Sequence, residues 1–268
     1  FGTGIRSVDQ YLVDYRPGSL VVIGADSSIG KTSLALGMAE HLGLNGHSVL
    51  YVTMEMSVRD IADRFLVGHS GVPRSKLMTP DQIEPAAWSS LDTATARLKP
   101  CPFHVYHSPG ISLDELGAVV RRAKRRDNLS VVVVDYLQIM RYPVPSDEVA
   151  SVQQLTSGLK TLAGQQNVAV VCLSQLRKRG PNEKADKEPT GHDLHSSGSI
   201  RRDADLVMLI HRPEYYHRDD QDWLDKHEDL KDAAYLIIDK QRNGPTRKVK
   251  IAFEPRRTKF YEWGAMGV

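Results

Sequence analysis

The 268-residue chain has few cysteines, and the two that it contains, Cys101 and Cys172, lie far apart. Each sits in or beside an apolar run, which is typical of buried thiols and argues against a disulfide framework. The sequence also has no run of about 20 apolar residues, the length that a membrane-spanning helix requires. It does not open with a basic region followed by an apolar core, so no secretion signal is indicated. We therefore expect a cytoplasmic protein that does not contact a membrane.

The chain also has almost no excess of charge, since its formal net charge is only +2 at pH 7. Any contact with nucleic acid therefore has to come from the local placement of Lys and Arg side chains. Hydrophobic residues make up 41% of the sequence and charged residues 25%, close to the average of soluble globular proteins. The composition predicts a folded chain, and the length favours one large domain. Because the chain starts at Phe1 and not at a methionine, we expect it to be part of a longer protein.

Short apolar runs rich in β-branched residues alternate with segments of helical length. Six of them lie at residues 20–24, 49–54, 103–107, 131–135, 168–173 and 206–211. This alternation predicts an α/β fold, with parallel strands joined by crossover helices and covered on both faces. Three further runs follow with only turns between them, at residues 234–239, 249–254 and 259–263. They predict an antiparallel extension at one edge of the sheet.

A candidate phosphate-binding loop connects the first predicted strand to an amphipathic helix. Backbone N–H groups of such a loop and of the following helix bind the phosphates of ATP or GTP. Lys31 would add a cation, and the Thr32 hydroxyl would be a ligand for Mg²⁺. The usual pattern begins with Gly, whereas Ala25 stands here and Gly24 lies one residue too early. The candidate nucleotide-binding residues are Ala25, Asp26, Ser27, Ser28, Ile29, Gly30, Lys31, Thr32 and Ser33.

Polar side chains at the ends of three other predicted strands are candidates for the chemistry. Asp135 closes the run 131–135 and is the candidate second metal residue, the alternative being a strand-end Asp that caps a turn. Glu55 follows the run 49–54 in an apolar setting and is the candidate base or water-orienting group. Its alternative is a partly exposed Glu at the start of a helix. Gln175 would sense the γ-phosphate with its neutral amide and signal to the segment that follows.

Two irregular segments and two basic clusters remain. Residues 141–148 and 177–199 lack any apolar period, and loops of the second length tend to be functional or disordered. The basic run 121–126 is expected to end a helix, where cations complement the dipole, although DNA binding is an alternative. Lys240 and Arg242 flank a turn, either as ordinary turn charges or as a source of an Arg for a neighbour's γ-phosphate. Such an Arg is worth about 10³ to 10⁵ in rate.

Together these motifs resemble the RecA-type ATPase domain of the DnaB family of hexameric replicative helicases, over nearly the whole chain. The resemblance implies a RecA-like P-loop NTPase fold formed by residues 1–268 as a single domain, the C-terminal part of a longer protein. A loop that starts with Ala in place of Gly is common in that family. The other motifs match in order and approximate spacing, and they lie at residues 1–5, 52–56, 134–138, 173–176, 197–205 and 240–245.

The resemblance also implies the cofactors, the site residues and the partners. It implies ATP and Mg²⁺, with Glu55 as catalytic carboxylate, Gln175 as sensor, and Arg242 with Lys240 as a finger pair acting on a neighbouring copy. It implies a hexameric ring whose channel, lined by segments 141–148 and 177–199, holds single-stranded DNA. A primase or a helicase loader would bind through a missing N-terminal domain. The candidate DNA-binding residues are Arg177, Lys178, Arg179, His195, Ser196, Ser197 and Gly198.

This sequence departs from the family pattern at three places. Asp26 and Ser27 stand where the family usually carries Arg-Pro, so a negative charge lies close to the phosphates and weakens nucleotide binding unless it points away. His195 and Ser196 replace an Arg-Glu pair of the DNA-contacting loop. Arg201 and Arg202 follow where the family tends to be acidic or polar, and they are candidates to restore the charge. The departures suggest a divergent member, phage- or plasmid-borne.

Two other functions share some of these features. A RecA-like recombinase or a clock-type ATPase has the same core and differs at the C-terminal motif around Arg242. A nucleotide-gated assembly protein that grips DNA with little turnover is the alternative outside the translocating enzymes. Glu55 argues against it, because a clamp that does not hydrolyse ATP needs no base.

Overall fold

The computed structural model describes residues 1–144, 146–177, 186–195 and 197–265. The strands are β1 (Leu20–Ala25), β2 (Val49–Thr53), β3 (Phe103–His107), β4 (Val131–Asp135), β5 (Ala169–Gln175), β6 (Leu206–His211), β7 (Ala233–Gln241), β8 (Arg247–Glu254) and β9 (Lys259–Glu262). The helices are α1 (Arg6–Asp9), α2 (Lys31–Leu44), α3 (Val58–Ser70), α4 (Arg74–Leu77), α5 (Pro85–Leu98), α6 (Leu113–Asp127), α7 (Glu148–Gln166), α8 (Ser197–Asp203), α9 (Pro213–Tyr216) and α10 (Gln221–Lys226). Short 3₁₀ turns cover Pro80–Gln82, Leu137–Ile139, Gly191–Asp193 and Glu228–Leu230.

The nine strands found in the described part of the chain belong to one sheet in the order β3-β2-β4-β5-β1-β6-β7-β8-β9. The strands from β3 to β6 in this order pair in parallel, and β7, β8 and β9 continue the sheet in antiparallel fashion. The prediction of a mostly parallel sheet with an antiparallel extension is therefore confirmed. Three strands extend two residues beyond the predicted runs: β5 continues to Gln175, β7 continues to Gln241, and β8 begins at Arg247.

The two faces of the sheet carry separate parts of the core. Leu34, Met38 and Leu42 of α2 pack on one face, together with side chains of the antiparallel strands. Leu155 and Leu159 of α7 pack on the other face, together with α6 and α8. Strand β4 is buried along its whole length, because helices cover both of its sides. Each fully buried Leu or Val side chain stabilises the fold by about 1.5–3 kcal/mol.

The direction of each strand decides on which side of the sheet, at the carboxyl or the amino ends of the parallel strands, the segment that follows it lies. Strands β1, β2, β4 and β5 run in the same direction, so the segments that follow them meet at one edge, which we call the carboxyl edge. Strand β7 runs in the opposite direction, and Gln241 at its end pairs with Leu206 at the start of β6. Arg242 therefore lies at the other edge, which we call the amino edge.

The expectation of a loop over the whole of residues 177–199 is wrong at its end. Helix α8 begins at Ser197, and a 3₁₀ turn precedes it at Gly191–Asp193. The sequence pattern missed α8 because its first residues are Ser and Gly, and tertiary contacts hold the helix in place. Ile200 is fully buried, and the Asp203 carboxylate accepts a hydrogen bond of 2.8 Å from Thr156 of α7.

The prediction for the basic run and that for the cysteines can be compared with the fold. The basic run 121–126 does end a helix, since Lys124, Arg125 and Arg126 occupy the last turn of α6. Both cysteines are free thiols, and Cys172 is buried as expected, whereas Cys101 is only partly buried. Among the residues that the structure describes, no helix combines the length and the apolar character that a membrane crossing requires.

Candidate active site

The loop between β1 and α2 has the geometry of an anion cradle. Ser28 and Gly30 adopt positive φ angles of 63° and 121°, which curl the chain so that successive backbone N–H groups converge. The first N–H groups of α2, which begins at Lys31, have no acceptor within the helix. A Cβ atom at Gly30 would lie 3.0 Å from ring atoms of Phe260. Glycine is therefore required at residue 30 by both its backbone angle and its neighbours.

Gly24, one residue before the loop, has a packing role. A Cβ atom at this position would lie 2.6 Å from Leu194 and 2.8 Å from Leu209, far closer than side-chain atoms approach one another. The Gly that stands one residue too early in the sequence motif thus allows a leucine of the segment before α8 to pack onto β1.

Lys31 folds over the loop. Its Nζ atom donates hydrogen bonds to the backbone oxygens of Ala25 at 2.7 Å and of Asp26 at 2.9 Å. Burial lowers the pKa of Lys31 to about 8, although the carboxylates of Asp135, Asp26 and Glu55 oppose this shift. The ammonium group therefore lies against the backbone of the loop.

Asp135 and Thr32 lie side by side, as predicted for a metal site. The Thr32 hydroxyl donates to Asp135 Oδ2 at 3.0 Å, and the Tyr51 hydroxyl donates to the same oxygen at 2.7 Å. Asp135 is 5% exposed, and this burial raises its pKa in spite of the two hydrogen bonds. A hydroxyl oxygen beside a carboxylate oxygen is the kind of donor set that Mg²⁺ prefers. Tyr51 was not predicted, although a Tyr within a buried strand needs a polar partner.

These groups line a cleft of about 600 Å³ at the carboxyl edge. The cleft brings together Glu55, Asp135 and Gln175 with six of the nine predicted loop residues, namely Ser27, Ser28, Gly30, Lys31, Thr32 and Ser33. Ala25, Asp26 and Ile29 do not line it. It also contains residues that sequence reasoning missed, namely Arg64, Arg74, Phe253 and Thr258. A larger groove of about 850 Å³ lies between α6 and α7, but it contains none of the predicted nucleotide-site residues.

The expected apolar setting of Glu55 is wrong for the single chain, because its side chain is exposed. Strand β2 ends at Thr53, whose hydroxyl accepts a hydrogen bond from Met56 N at 3.1 Å and donates one to Met56 O at 2.9 Å. This tight turn directs the intervening Glu55 to the mouth of the cleft. Helix α3 then begins at Val58, and Ser57 and Asp60 form a capping box at its N-terminus.

Gln175 lies where two structural elements meet. Its backbone N–H donates to Gln138 Oε1 at 3.2 Å. The next residue, Leu176, donates its N–H to the oxygen of Ala25 at 3.3 Å and pairs with Leu194 in a β-bridge. The end of β5 is therefore bonded on one side to the start of the phosphate loop and on the other to the segment before α8.

Asp26 points toward the connection that follows β6. Its Oδ2 atom accepts a hydrogen bond of 2.6 Å from the Tyr216 hydroxyl, and the lining of the cleft includes Ser27 and Ser28 but not Asp26. In the same connection, Arg212 donates to the oxygen of Ile29 at 3.3 Å. The carboxylate is therefore turned toward this connection, and Asp26 does not line the cleft.

Lys240 and Arg242 lie at the amino edge, away from the loop of their own chain. Arg242 Nε is 3.1 Å from Asp205 Oδ1, and its guanidinium also donates to Arg202 O at 3.3 Å. Lys240 Nζ donates to the oxygens of Ala204, at 2.6 Å, and of Arg201. Burial and the nearby Arg242 lower the pKa of Lys240. The structure does not bring this pair to the cleft within one chain.

The structure describes four of the seven candidate DNA-binding residues, namely Arg177, His195, Ser197 and Gly198. Lys178, Arg179 and Ser196 lie outside the described residues, and Ser197 and Gly198 begin α8.

Arg177 pairs with Asp193 at 3.0 Å, and His195 Nδ1 is 3.5 Å from Glu148 Oε1. Arg201 and Arg202, the candidates for restoring positive charge, pair with Asp239 and Asp203. The ion pairs of Arg177, Arg201 and Arg202 place carboxylates beside these cations and so weaken their attraction for a phosphate backbone.

Comparison with known proteins places nearly the whole chain in one family. The model of the DnaB-like helicase C terminal domain matches residues 1–262. The chain is 35% identical over 264 residues to the replicative DNA helicase DnaB of Leifsonia xyli subsp. xyli, covering 96% of this chain and 55% of that protein. It is 34% identical over 262 residues to the protein of the same name from Pasteurella multocida, covering 96% and 54%. The chain thus spans about half the length of the curated relatives it matches.

Solved structures agree. One solved ATPase domain superposes on this chain with a TM-score of 0.87 at 26% identity, covering 97% of this chain and 90% of that one. A structure of a DnaB-like replicative helicase and its interactions with primase gives a TM-score of 0.87 at 27% identity, covering 97% and 61%. This chain therefore belongs to the family of DnaB-like helicase C-terminal domains.

Proposed function

We propose that residues 1–268 form the motor domain of a ring-forming, ATP-driven DNA helicase that moves along single-stranded DNA during replication. The observation that carries the proposal is the separation of the candidate catalytic groups between the two edges of the sheet. Arg242 follows Gln241, which pairs with the first residue of β6, whereas Lys31 lies beyond the last residue of β1. A six-residue strand spans about 20 Å. Arg242 would therefore serve the loop of a neighbouring copy.

ATP and Mg²⁺ would bind in the 600 Å³ cleft. The N–H groups of the loop and of the first turn of α2 would hold the β- and γ-phosphates, with Lys31 as the cation. Thr32 and Asp135 would hold Mg²⁺, Asp135 directly or through water. Bound Mg²⁺ supplies charge neutralisation on the transferred phosphate.

Glu55 would position and deprotonate the attacking water at the mouth of the cleft. Its exposure in the single chain fits a site that a neighbouring copy completes, because the neighbour would exclude water from the mouth. Arg242 of that neighbour would stabilise the charge of the transition state, a contribution of about 10³ to 10⁵ in rate. Hydrolysis would then occur only between assembled chains.

Gln175 would transmit the state of the nucleotide. Its strand is bonded to the loop through Ala25 and to the segment before α8 through Leu194. Segments 141–148 and 177–199 would line the channel of a hexameric ring and bind the DNA backbone, which suits a motor that accepts any sequence. We also propose a cytoplasmic location, and a primase or a helicase loader as partner of a further N-terminal domain.

An unwinding assay tests this proposal. A forked DNA duplex with a fluorophore and a quencher is incubated with the protein, ATP and Mg²⁺, and strand separation is followed together with phosphate release. We expect both signals, and Lys31→Ala should abolish both. Strand exchange between homologous duplexes without unwinding would instead indicate a recombinase. ATP binding without phosphate release would indicate a nucleotide-gated clamp.

A further inference from the structure

The phosphate loop is braced from outside by the connection between β6 and β7. Tyr216, 190 residues after Asp26, donates its hydroxyl hydrogen to Asp26 Oδ2 at 2.6 Å. Arg212 of the same connection is buried, lies 3.8 Å from the centroid of the Phe253 ring, and donates to Ile29 O. The loop is thus held at both of its ends, once by a backbone oxygen and once by the Asp26 side chain.

Packing fixes the Tyr216 ring. It stacks on His211 with a centroid distance of 5.7 Å and an interplanar angle of 28°. Tyr215 packs against its edge at 5.9 Å and 86°. The ring therefore has little freedom to turn, and its hydroxyl is a fixed donor for the carboxylate of Asp26.

Without this hydrogen bond, the negative charge of Asp26 would disfavour the binding of anions to the loop. Its own backbone oxygen accepts a hydrogen bond from Lys31 Nζ, so the residue lies beside the cation that faces the phosphates. A carboxylate turned toward bound ATP would repel the phosphates, because like charges at a few ångströms interact strongly where water is excluded. A neutral residue or a cation would not have this effect.

We propose that Tyr216 is a positioning residue of the nucleotide site, whose hydroxyl holds the Asp26 carboxylate away from the phosphates. The inference rests on the proposed binding of ATP to this loop. Tyr216 itself does not touch the nucleotide, and it acts only through the charge of Asp26. The hydrogen bond allows a loop with an acidic second residue to bind a ligand that carries several negative charges.

Four variants test the inference, namely Tyr216→Phe, Asp26→Asn, the double variant, and Tyr215→Phe as the matched control. Tyr216→Phe keeps the ring and its stacking but removes the hydroxyl. Dissociation constants of ATP and ADP are measured by competition with a fluorescent nucleotide, and thermal unfolding verifies that each variant is folded.

We expect Tyr216→Phe to weaken ATP binding about tenfold, which corresponds to about 1.4 kcal/mol, because the released carboxylate could then approach the phosphates. ADP binding should weaken less, because ADP carries less charge. In steady state, the KM for ATP should rise while kcat at saturation changes little. The double variant should bind ATP as Asp26→Asn does, and Tyr215→Phe should bind it as the unmodified protein does.

Two results would overturn the inference while leaving the proposed function intact. One is an unchanged ATP affinity of Tyr216→Phe beside normal binding by the unmodified protein. The other is an equal loss in the presence and absence of the Asp26 charge, which would assign Tyr216 a purely structural part. A failure of the unmodified protein to bind ATP would instead reject the proposed function and the inference with it.

Discussion

Mixing two inactive variants of this protein should restore part of its ATPase activity. Lys31→Ala removes the cation of the phosphate loop, and Arg242→Ala removes the proposed finger. In a ring whose sites lie between copies, each site takes Lys31 from one chain and Arg242 from the next. A mixed ring then contains some interfaces in which both groups are intact.

The expected recovery of ATPase activity follows from the positions of the two groups and from random mixing of the chains. Arg242 lies at the amino edge and Lys31 at the carboxyl edge, separated by a strand length of about 20 Å, so on the proposed arrangement no chain completes its own site. Random assembly of equal amounts of the two variants leaves about one interface in four with both groups intact in a head-to-tail ring. We therefore expect about a quarter of the unmodified ATPase rate, against a loss of about 10³-fold or more for Arg242→Ala alone.

The assay is phosphate release from rings mixed before the addition of ATP, with native mass spectrometry to verify that the two variants share rings. The control replaces Arg242→Ala by the double variant Lys31→Ala/Arg242→Ala, which offers no intact loop and should give no recovery. Confirmed mixed rings without any recovered activity would refute the shared site.

Three further predictions concern single side chains. Glu55→Gln should retain ATP binding but lose about 10²- to 10⁴-fold in phosphate release, and unchanged release would indicate that Glu55 is not the base. Burial raises the pKa of Glu40, but its contacts with His69 and Lys259 outweigh this effect and hold the pKa below the ordinary 4.5. Its stabilising effect is therefore present above pH 4.5 and is lost as the pH falls through the lower folded value. Glu40→Gln should lower the free energy of unfolding by about 1–3 kcal/mol at pH 7, and urea titrations should show the difference shrinking in acid. Gly24→Ala should cost about 1–3 kcal/mol through overpacking, whereas Gly37→Ala, which has nothing within 4 Å of the added Cβ, should stabilise α2 by about 0.5–1 kcal/mol. Equal effects of the two Gly substitutions on urea midpoints would contradict this account.

The sequence predicts the sheet well because its strands carry their own signal. Four consecutive valines in β4 are buried on both faces, and no other element accommodates such a run as readily. The extension of β5 to Gln175 and the start of α8 at Ser197 carry no local signal. They exist because Leu176 pairs with Leu194 and because Ile200 is buried under the sheet.

In the candidate site, too, some contacts follow from the predicted strands and others do not. The meeting of Thr32 and Asp135 follows from strand direction alone, since both residues end up at the carboxyl edge. The donation from Tyr51 to Asp135 joins residues 84 positions apart, and the orientation of Asp26 depends on a residue 190 positions away. The exposure of Glu55 depends on the turn at Thr53. Contacts of this kind are set by packing and not by any spacing in the sequence.

The two cations of the predicted finger pair differ in how firmly their own chain holds them. The Arg242 side chain is 48% exposed, whereas its partner Asp205 is only 11% exposed and is also bound by Lys160 at 2.6 Å. The carboxylate keeps a cationic partner when Arg242 leaves, so a nucleotide phosphate bound to a neighbouring copy can draw Arg242 from Asp205. Lys240 is less exposed and donates to two oxygens at the end of α8, which the helix itself leaves without partners. On the proposed arrangement Arg242 is therefore the cation that moves, and Lys240 keeps α8 attached to β7.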